Sequence, residues 1–419
     1  MKKNKVFFTI CLLLSASITT AQVPSLSLDS CYILARQNYP LIKQHMLIEK
    51  TGEYTVSNIS KGFLPQLNIA GQATYQSDIT HFPKAIPGIP VLTKDQYRLY
   101  AEVNQPIYDG GVIREQRKVQ EATTVADQQK LEVELYKLKD RINQLFFGVL
   151  LVQSQQKQNE LRKNDIQLGL NKVNAAIANG SALKSSADVL KAELLNVEEQ
   201  TVELQGNKNA FTDMLGLFIH RQIDTNTFFV LPPEIIPSQN IRRPEWQLYD
   251  FQNQILNAQN NLLTARNRPK ISFFVQGGFG KPAFNILSNN LDPFYIAGIR
   301  LTFPISGFYT LKNERSLIDL NRQNISVQKE TFLFNTSVAL QQENQDIQKL
   351  KKIIQTDEEI IPLRSHIKET ALAQLNNGVI NSSDYLSEVN AENSARQNKV
   401  LHTVQLLIAE YNERNTVGE

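Results

Sequence analysis

The feature that most limits the fold is an apolar seam running through residues 109–217. Leu131, Leu135, Leu138, Ile142, Leu145, Val149 and Val152 alternate steps of four and three, the a/d spacing that holds one helical stripe against a neighbour. After Asn179-Gly180-Ser181 the pattern resumes with Leu190, Leu194, Val197, Thr201, Leu204, Lys208, Phe211 and Leu215. Gly180 suits a left-handed helix stop, and Ser185, Ser186 or Asp188 could cap the next helix. The spacing predicts a first helix from Gly111 to Asn179, ~100 Å long at ~1.5 Å per residue. A small domain cannot bury such a helix. It needs partners along its whole length.

The residues that interrupt helices and ladders recur at matched intervals. Pro40 to Pro65 and Pro244 to Pro269 each span 25 residues, and Pro106 to Gly180 and Pro304 to Gly378 each span 74. Only the middle interval differs, 41 residues from Pro65 to Pro106 against 35 from Pro269 to Pro304. Gly62-Phe63-Leu64-Pro65 aligns with Arg266-Asn267-Arg268-Pro269, and Asn179-Gly180 with Asn377-Gly378. This order of matches implies a tandem duplication. The expected layout is repeat 1 over 22–218, a Pro-rich linker over 219–243 and repeat 2 over 244–419.

Within each repeat the period changes from helix to strand. Leu67, Ile69 and Tyr75 alternate with polar residues, as do Tyr97, Leu99 and Val103 against Arg98 and Glu102. The second copy repeats the device with Ile271, Phe273 and Val275, then Tyr295, Ile299, Leu301 and Phe303 flanking Arg300. The strand pairs fall at about 66–105 and 270–304, and the long helical hairpins at 109–218 and 307–412. Strands of about ten residues with one greasy face, one wet face and aromatic ends fit a transmembrane barrel wall. An ordinary sheet with one solvated face has the same period, but no apolar layer is evident to cover this one. Four strands cannot close on themselves, and open strand edges are not tolerated in lipid. Such a protomer must therefore oligomerise cyclically.

The N-terminus reads as a secretory signal over 1–21. Lys2, Lys3 and Lys5 precede an apolar core from Val6 to Leu14, and Thr19-Thr20-Ala21 forms the cleavage site. Its removal takes Cys11 and leaves only Cys31, so no intramolecular disulfide is expected. No later run reaches the ~18 apolar residues of a membrane helix, so entry into a bilayer would have to use strands. A net charge of +3 with 20% charged residues gives no polyanion-binding signal and no nucleic-acid partner. Acids and bases alternate along the helices, as on a solvated face. Pro362 is expected to kink the second ascending helix.

No catalytic or metal constellation emerges, and no cofactor is implied. His45, His81, His220, His366 and His402 are scattered, none at zinc-ligand spacing. Gly277-Gly278-Phe279-Gly280-Lys281 lacks Walker spacing and precedes no helix, so close backbone approach explains it better.

Two copies of helix, strand pair and long hairpin resemble the TolC-type outer-membrane efflux proteins over the whole mature chain. The local markers are Leu28-Asp29-Ser30-Cys31, Asn38-Tyr39-Pro40, Phe63-Leu64-Pro65, Gln105-Pro106-Ile107-Tyr108-Asp109-Gly110-Gly111, Arg243-Pro244-Glu245, and Gly378 with Asp384-Tyr385-Leu386. The resemblance implies a homotrimer, with a 12-stranded transmembrane β-barrel of four strands per protomer continuous with a periplasmic α-helical barrel. It implies a non-enzymatic exit duct in the Gram-negative outer membrane, most of its mass periplasmic, fed by a periplasmic adaptor and an inner-membrane RND or ABC-type pump. By the same resemblance Asp384 is the periplasmic gate candidate, although Ser387 replaces a second acid often found there; equally, Asp384 reads as an N-cap or first-turn acid of the next helix. Asn179, Gly180, Ser181, Asn377 and Gly378 would be hairpin tips for adaptor docking. Arg98, Glu102 and Arg300 would line the lumen, and the thirteen apolar strand residues named above would face lipid. The competing reading is a periplasmic coiled-coil adaptor or structural protein of an envelope complex. The duplicated amphipathic strand pair argues against it.

Overall fold

The computed structural model describes residues 25–80, 87, 90–224, 227–233 and 241–418. The signal segment 1–21 lies outside the described residues, as do parts of the linker. The chain divides into two units. One comprises the described parts of Met1–Pro40, Lys137–Ile241 and Val338–Glu419, the other Leu41–Tyr136 and Arg242–Ser337.

In order, helix α1 (Leu28–Asn38) and helix α2 (Gln44–Ser60) precede strands β2 (Gln66–Tyr75) and β3 (Asp95–Tyr108). Helices α3 (Val112–Tyr136), α4 (Leu138–Ala178) and α5 (Lys184–Ile219) follow. Then come α6 (Pro244–Arg266), β5 (Lys270–Lys281), β6 (Asp292–Thr302), α7 (Gly307–Asn376) and α8 (Ser382–Val417). Two short strands, β1 (Ser25–Leu26) and β4 (Phe228–Phe229), pair in parallel. That small sheet was not expected from the Pro-rich linker. Phe229 is buried and its ring lies 5.4 Å from Phe146.

Sequence expectation and structure differ at two helical points. The first ascending helix is two helices, α3 and α4, separated by the single residue Lys137. Lys137 keeps helical dihedrals (φ −62°, ψ −16°), so only the hydrogen-bond ladder is interrupted. Helix α5 starts at Lys184 with Leu183 as N-cap and no side-chain cap bond. Ser185, Ser186 and Asp188 therefore sit inside its opening turns and do not cap it. Helix α7 runs uninterrupted through Pro362 for 70 residues, about 105 Å at ~1.5 Å per residue.

The helical unit is built on the heptad seam. Leu138, Ile142, Val149 and Val152 of α4 are buried, as are Leu190, Val197, Leu204 and Leu215 of α5. Cys31 lies fully buried in the same cluster as Ile142, Phe146 and Phe147, and burial pushes its thiol up to about 12. It behaves as a small hydrophobe.

In the other unit the side chains thought to be merely solvated form a regular ladder. Arg315, Arg322 and Lys329 of α7, seven residues apart, bond Thr264, Asn257 and Asp250 of α6 at 3.2, 2.7 and 3.2 Å. The seven-residue steps run in opposite directions on the two helices. This is what antiparallel neighbours require.

The four longer strands form one antiparallel sheet in the order β2-β3-β5-β6. The strand pairs of the two halves are joined edge to edge through β3 and β5. Strand β3 continues past the expected end at Gln105 to Tyr108. A register shift between Pro106 and Tyr108 accommodates the proline's missing N–H.

Candidate functional site: the two-faced sheet and the paired turns

Residues directly opposite on neighbouring strands share a face, so the register assigns every strand residue. Leu67 pairs with Val103 and Val103 with Val275, while Ile69 and Leu99 follow the same parity on β2 and β3. Ile271 pairs with Leu301, Phe273 with Ile299, and Gly277 with Tyr295. Tyr75 and Tyr97 complete this face at one end, and the bulge brings Tyr108 onto it beside Ile271. Twelve of the thirteen expected residues thus share one face; Phe303 lies just beyond the end of β6 and stacks edge-on with Phe308 at 6.0 Å. The face is bare in the single chain, with Ile69 77% and Tyr295 82% exposed. Gln105 interrupts it, but its side-chain amide donates to the Phe63 carbonyl at 2.8 Å. From Tyr97 to Tyr108 the face spans about 35 Å of strand, or ~25 Å of height at a ~45° tilt. That matches a bilayer's apolar band.

The opposite face carries Arg98, Glu102 and Arg300, as expected from the alternation. Arg300 donates to Glu102 at 3.3 Å, and the second oxygen of Glu102 accepts from Gln276 at 2.5 Å. Arg300 also lies over the Phe274 ring, 4.5 Å from its centroid, and Arg98 lies 5.6 Å from that of Phe294. The aromatic members of this wet face were not singled out from sequence; their signal was Phe274 and Phe294 at polar-parity positions. The glycine run does mark a close approach. A Cβ on Gly278 would sit 2.1 Å from the Leu99 carbonyl oxygen.

In the helical unit, the two expected tips stop their helices identically. Gly180 N–H donates to Ile177 O and Ser181 N–H to Ala176 O at 3.0 and 2.9 Å. Gly378 and Val379 repeat this with Leu375 and Gln374 at 3.2 and 2.9 Å. Both glycines have positive φ, +72° and +69°, which lets the last carbonyls be satisfied without a Cβ clash. The two turns, including Asn179 and Asn377, line one cleft with Lys172, Leu183 and Asn381. They restart differently. Asn381 caps α8 by accepting the N–H groups of Ser383 and Asp384 at 2.8 and 2.9 Å, while Asp384 accepts the Asn381 N–H at 3.3 Å. Asp384 is thus one half of a capping box.

Just behind the tips is a group of residues whose mutual contacts the sequence reading missed. Tyr385 is fully buried against Gly169, where a Cβ would lie 2.5 Å from its ring, and its hydroxyl donates to Asp165 O at 2.9 Å. Lys368 bridges Asp165 at 2.8 Å and Glu392 at 2.9 Å, and Arg396 joins Glu392 at 2.7 Å. Arg162 pairs with Glu193 and bonds Asn390 at 2.9 Å. Burial alone would lower the Lys368 ammonium, but its bonds to Asp165 and Glu392 outweigh that and hold it above the ordinary lysine value. Burial alone would raise Glu392, and Lys368 and Arg396 instead hold it below the ordinary carboxylate value. These charges were expected on a solvated face. The available signal was Glu392 at a seam position, with Tyr385, Val389 and Glu392 spaced by four and then three residues.

No protein-family model and no curated protein matches the chain. Solved structures do. The outer membrane protein VceC of Vibrio cholerae superposes with a TM-score of 0.65 at 14% identity, over 93% of this chain and 96% of that one. The Campylobacter jejuni CmeC outer membrane channel gives 0.65 at 14%, over 93% and 85%. CusC gives 0.69 at 13%, over 93% and 92%. The chain has the fold of these outer-membrane channels, the TolC-like combination of long helices and a short-stranded antiparallel sheet.

Proposed function

We propose that this chain is one third of a passive outer-membrane channel, the exit duct of a tripartite efflux or secretion system. The observation that carries the reading is a four-stranded sheet with one bare apolar face and two edges, β2 and β6, that are unpaired among the described residues. Strand directions alternate across the sheet, so β6 of one copy meets β2 of the next antiparallel, and closure leaves no edge for lipid to solvate. Three copies make a 12-stranded barrel with the apolar face outward and Arg98, Glu102 and Arg300 inward. The long helices find their missing partners in the same ring.

The layout of 22–218, 219–243 and 244–419 as repeat, linker and repeat, behind a cleaved signal over 1–21, fits this reading. The paired tips at Asn179-Gly180-Ser181 and Asn377-Gly378 are the surface for a periplasmic adaptor serving an RND or ABC-type pump. Asp384, present three times in a trimer, is the acid at the periplasmic mouth, a ring of carboxylates favouring cations there. The fold similarity to outer-membrane channels at 13–14% identity supports this role.

The test is purification from outer membranes in detergent, followed by planar-bilayer recording. A heat-modifiable trimer that conducts ions is the expected result. A polypeptide that is soluble and monodisperse as one copy without detergent overturns the proposal.

A further inference from the structure

We propose that the barrel end of the conduit prefers anions, and that Arg98 sets this preference. The inference rests on the trimeric-channel reading and extends it to the charge of what passes. The charged residues assigned by register to the wet face of the sheet are Arg98, Lys270 and Arg300 against Glu102 and Asp292. Each copy therefore brings one excess positive charge, and the distribution is uneven. Arg300 is neutralised by Glu102 at 3.3 Å. Asp292 accepts the Ser288 hydroxyl at 2.7 Å and lies in the cross-strand row of Arg98, with Gly280 between them. Two strand spacings put their backbones ~10 Å apart, about a Debye length at ~0.1 M salt.

Arg98 itself makes no ion pair among the described residues. Its partner is the ring of Phe294, which in turn packs with Tyr100 at 6.3 Å and Phe284 at 5.1 Å. A ring quadrupole orients a guanidinium without cancelling its charge. The side chain is thus held near the wall while its N–H groups stay available to an anion, and three-fold symmetry repeats it at one height. Cargo with a carboxylate, sulfonate or phosphate fits this surface better than a cation does.

The experiment is the reversal potential of the reconstituted trimer across a KCl gradient, comparing wild type, Arg98→Gln, Arg98→Lys and Lys281→Gln. Lys281 pairs with Asp95 at 3.5 Å and belongs to the other face. The expected result is that Arg98→Gln moves the reversal potential toward the cation side. Arg98→Lys keeps the wild-type value, and Lys281→Gln leaves it unchanged. Because Asp384 acts in series, the shift on substitution is the readout. Arg98→Ser replaces the Gln variant should that one fail to assemble, as heat-modifiable migration would reveal. A conducting trimer whose selectivity is the same with and without the Arg98 charge overturns the inference and leaves the channel intact. A trimer that conducts nothing overturns the channel reading and this inference with it.

Discussion

Replacing Lys368 by Met removes the ammonium that joins Asp165 to Glu392 while keeping most of the apolar stem. Lys368 is 15% exposed and Glu392 4%, so the pair is largely out of water. Breaking a buried pair by deleting one partner costs ~3–5 kcal/mol. Here Arg396 still holds Glu392 at 2.7 Å, and Asp165, about a quarter exposed, can hydrate. Those compensations put the expected loss at the lower end, about 3 kcal/mol. Hydrogen–deuterium exchange on the detergent-solubilised protein measures this locally. Amides flanking Lys368 and Glu392 are expected to exchange ~10²-fold faster in the variant. The pH dependence has a definite sign. Glu392 is held below its ordinary value of 4.5, so its stabilisation is present at neutral pH and lost as pH falls through the depressed value. Lys368 is held above 10.5, so its share is lost only as pH rises past that higher value. The gap between wild type and variant should therefore narrow in acid. Exchange within about threefold of wild type at neutral pH, under ~0.7 kcal/mol, would refute the claim that this network fastens the helices.

Gly169→Ala should destabilise the helical unit by ~1–3 kcal/mol even though alanine is the better helix former by ~1 kcal/mol, because the new Cβ meets the buried Tyr385 ring at 2.5 Å; thermal melting of the trimer gives the sign. Ile69→Arg places a charge on the bare apolar face and is expected to cost ~2–4 kcal/mol per copy near the bilayer midplane, reducing trimer recovered from outer membranes, whereas Thr74→Arg on the wet face, opposite the uncharged Gln96, should not. Asp384→Ala should weaken the start of α8 by ~1 kcal/mol through loss of the capping box and reduce divalent block without preventing assembly. Asp384→Asn removes the charge and retains a side-chain acceptor, so equal divalent block in Asp384→Asn and wild type would remove this residue from the mouth.

The parts of the fold legible in the sequence are those with a strict period. Alternation along Leu67–Tyr75 and Tyr97–Val103 grouped the apolar residues on one side of the sheet, as the register has them, because a one-residue slip would invert every side chain. The seams placed α4 and α5, and proline and glycine placed the turns. What escaped lies where period carries no information. A Leu183 cap without a side-chain bond leaves no composition mark, and the interruption at Lys137 involves neither proline nor glycine. Charged residues such as Arg162, Lys368 and Glu392 read as surface until their partners, in one case 228 positions away, are known. The same holds for Arg98, whose aromatic neighbour Phe294 sits in the other half of the chain.

Three-fold closure of the sheet is tested most directly by cysteine pairs scanned along the two edge strands, one in β2 and one in β6. Cys31 is fully buried with its thiol pushed up to about 12, so it contributes little background. Closure requires that one set of antiparallel registers oxidises to dimers and trimers of the chain, with nothing larger, in intact outer membranes. No inter-copy disulfide at any register, or bands extending beyond three copies, would contradict it.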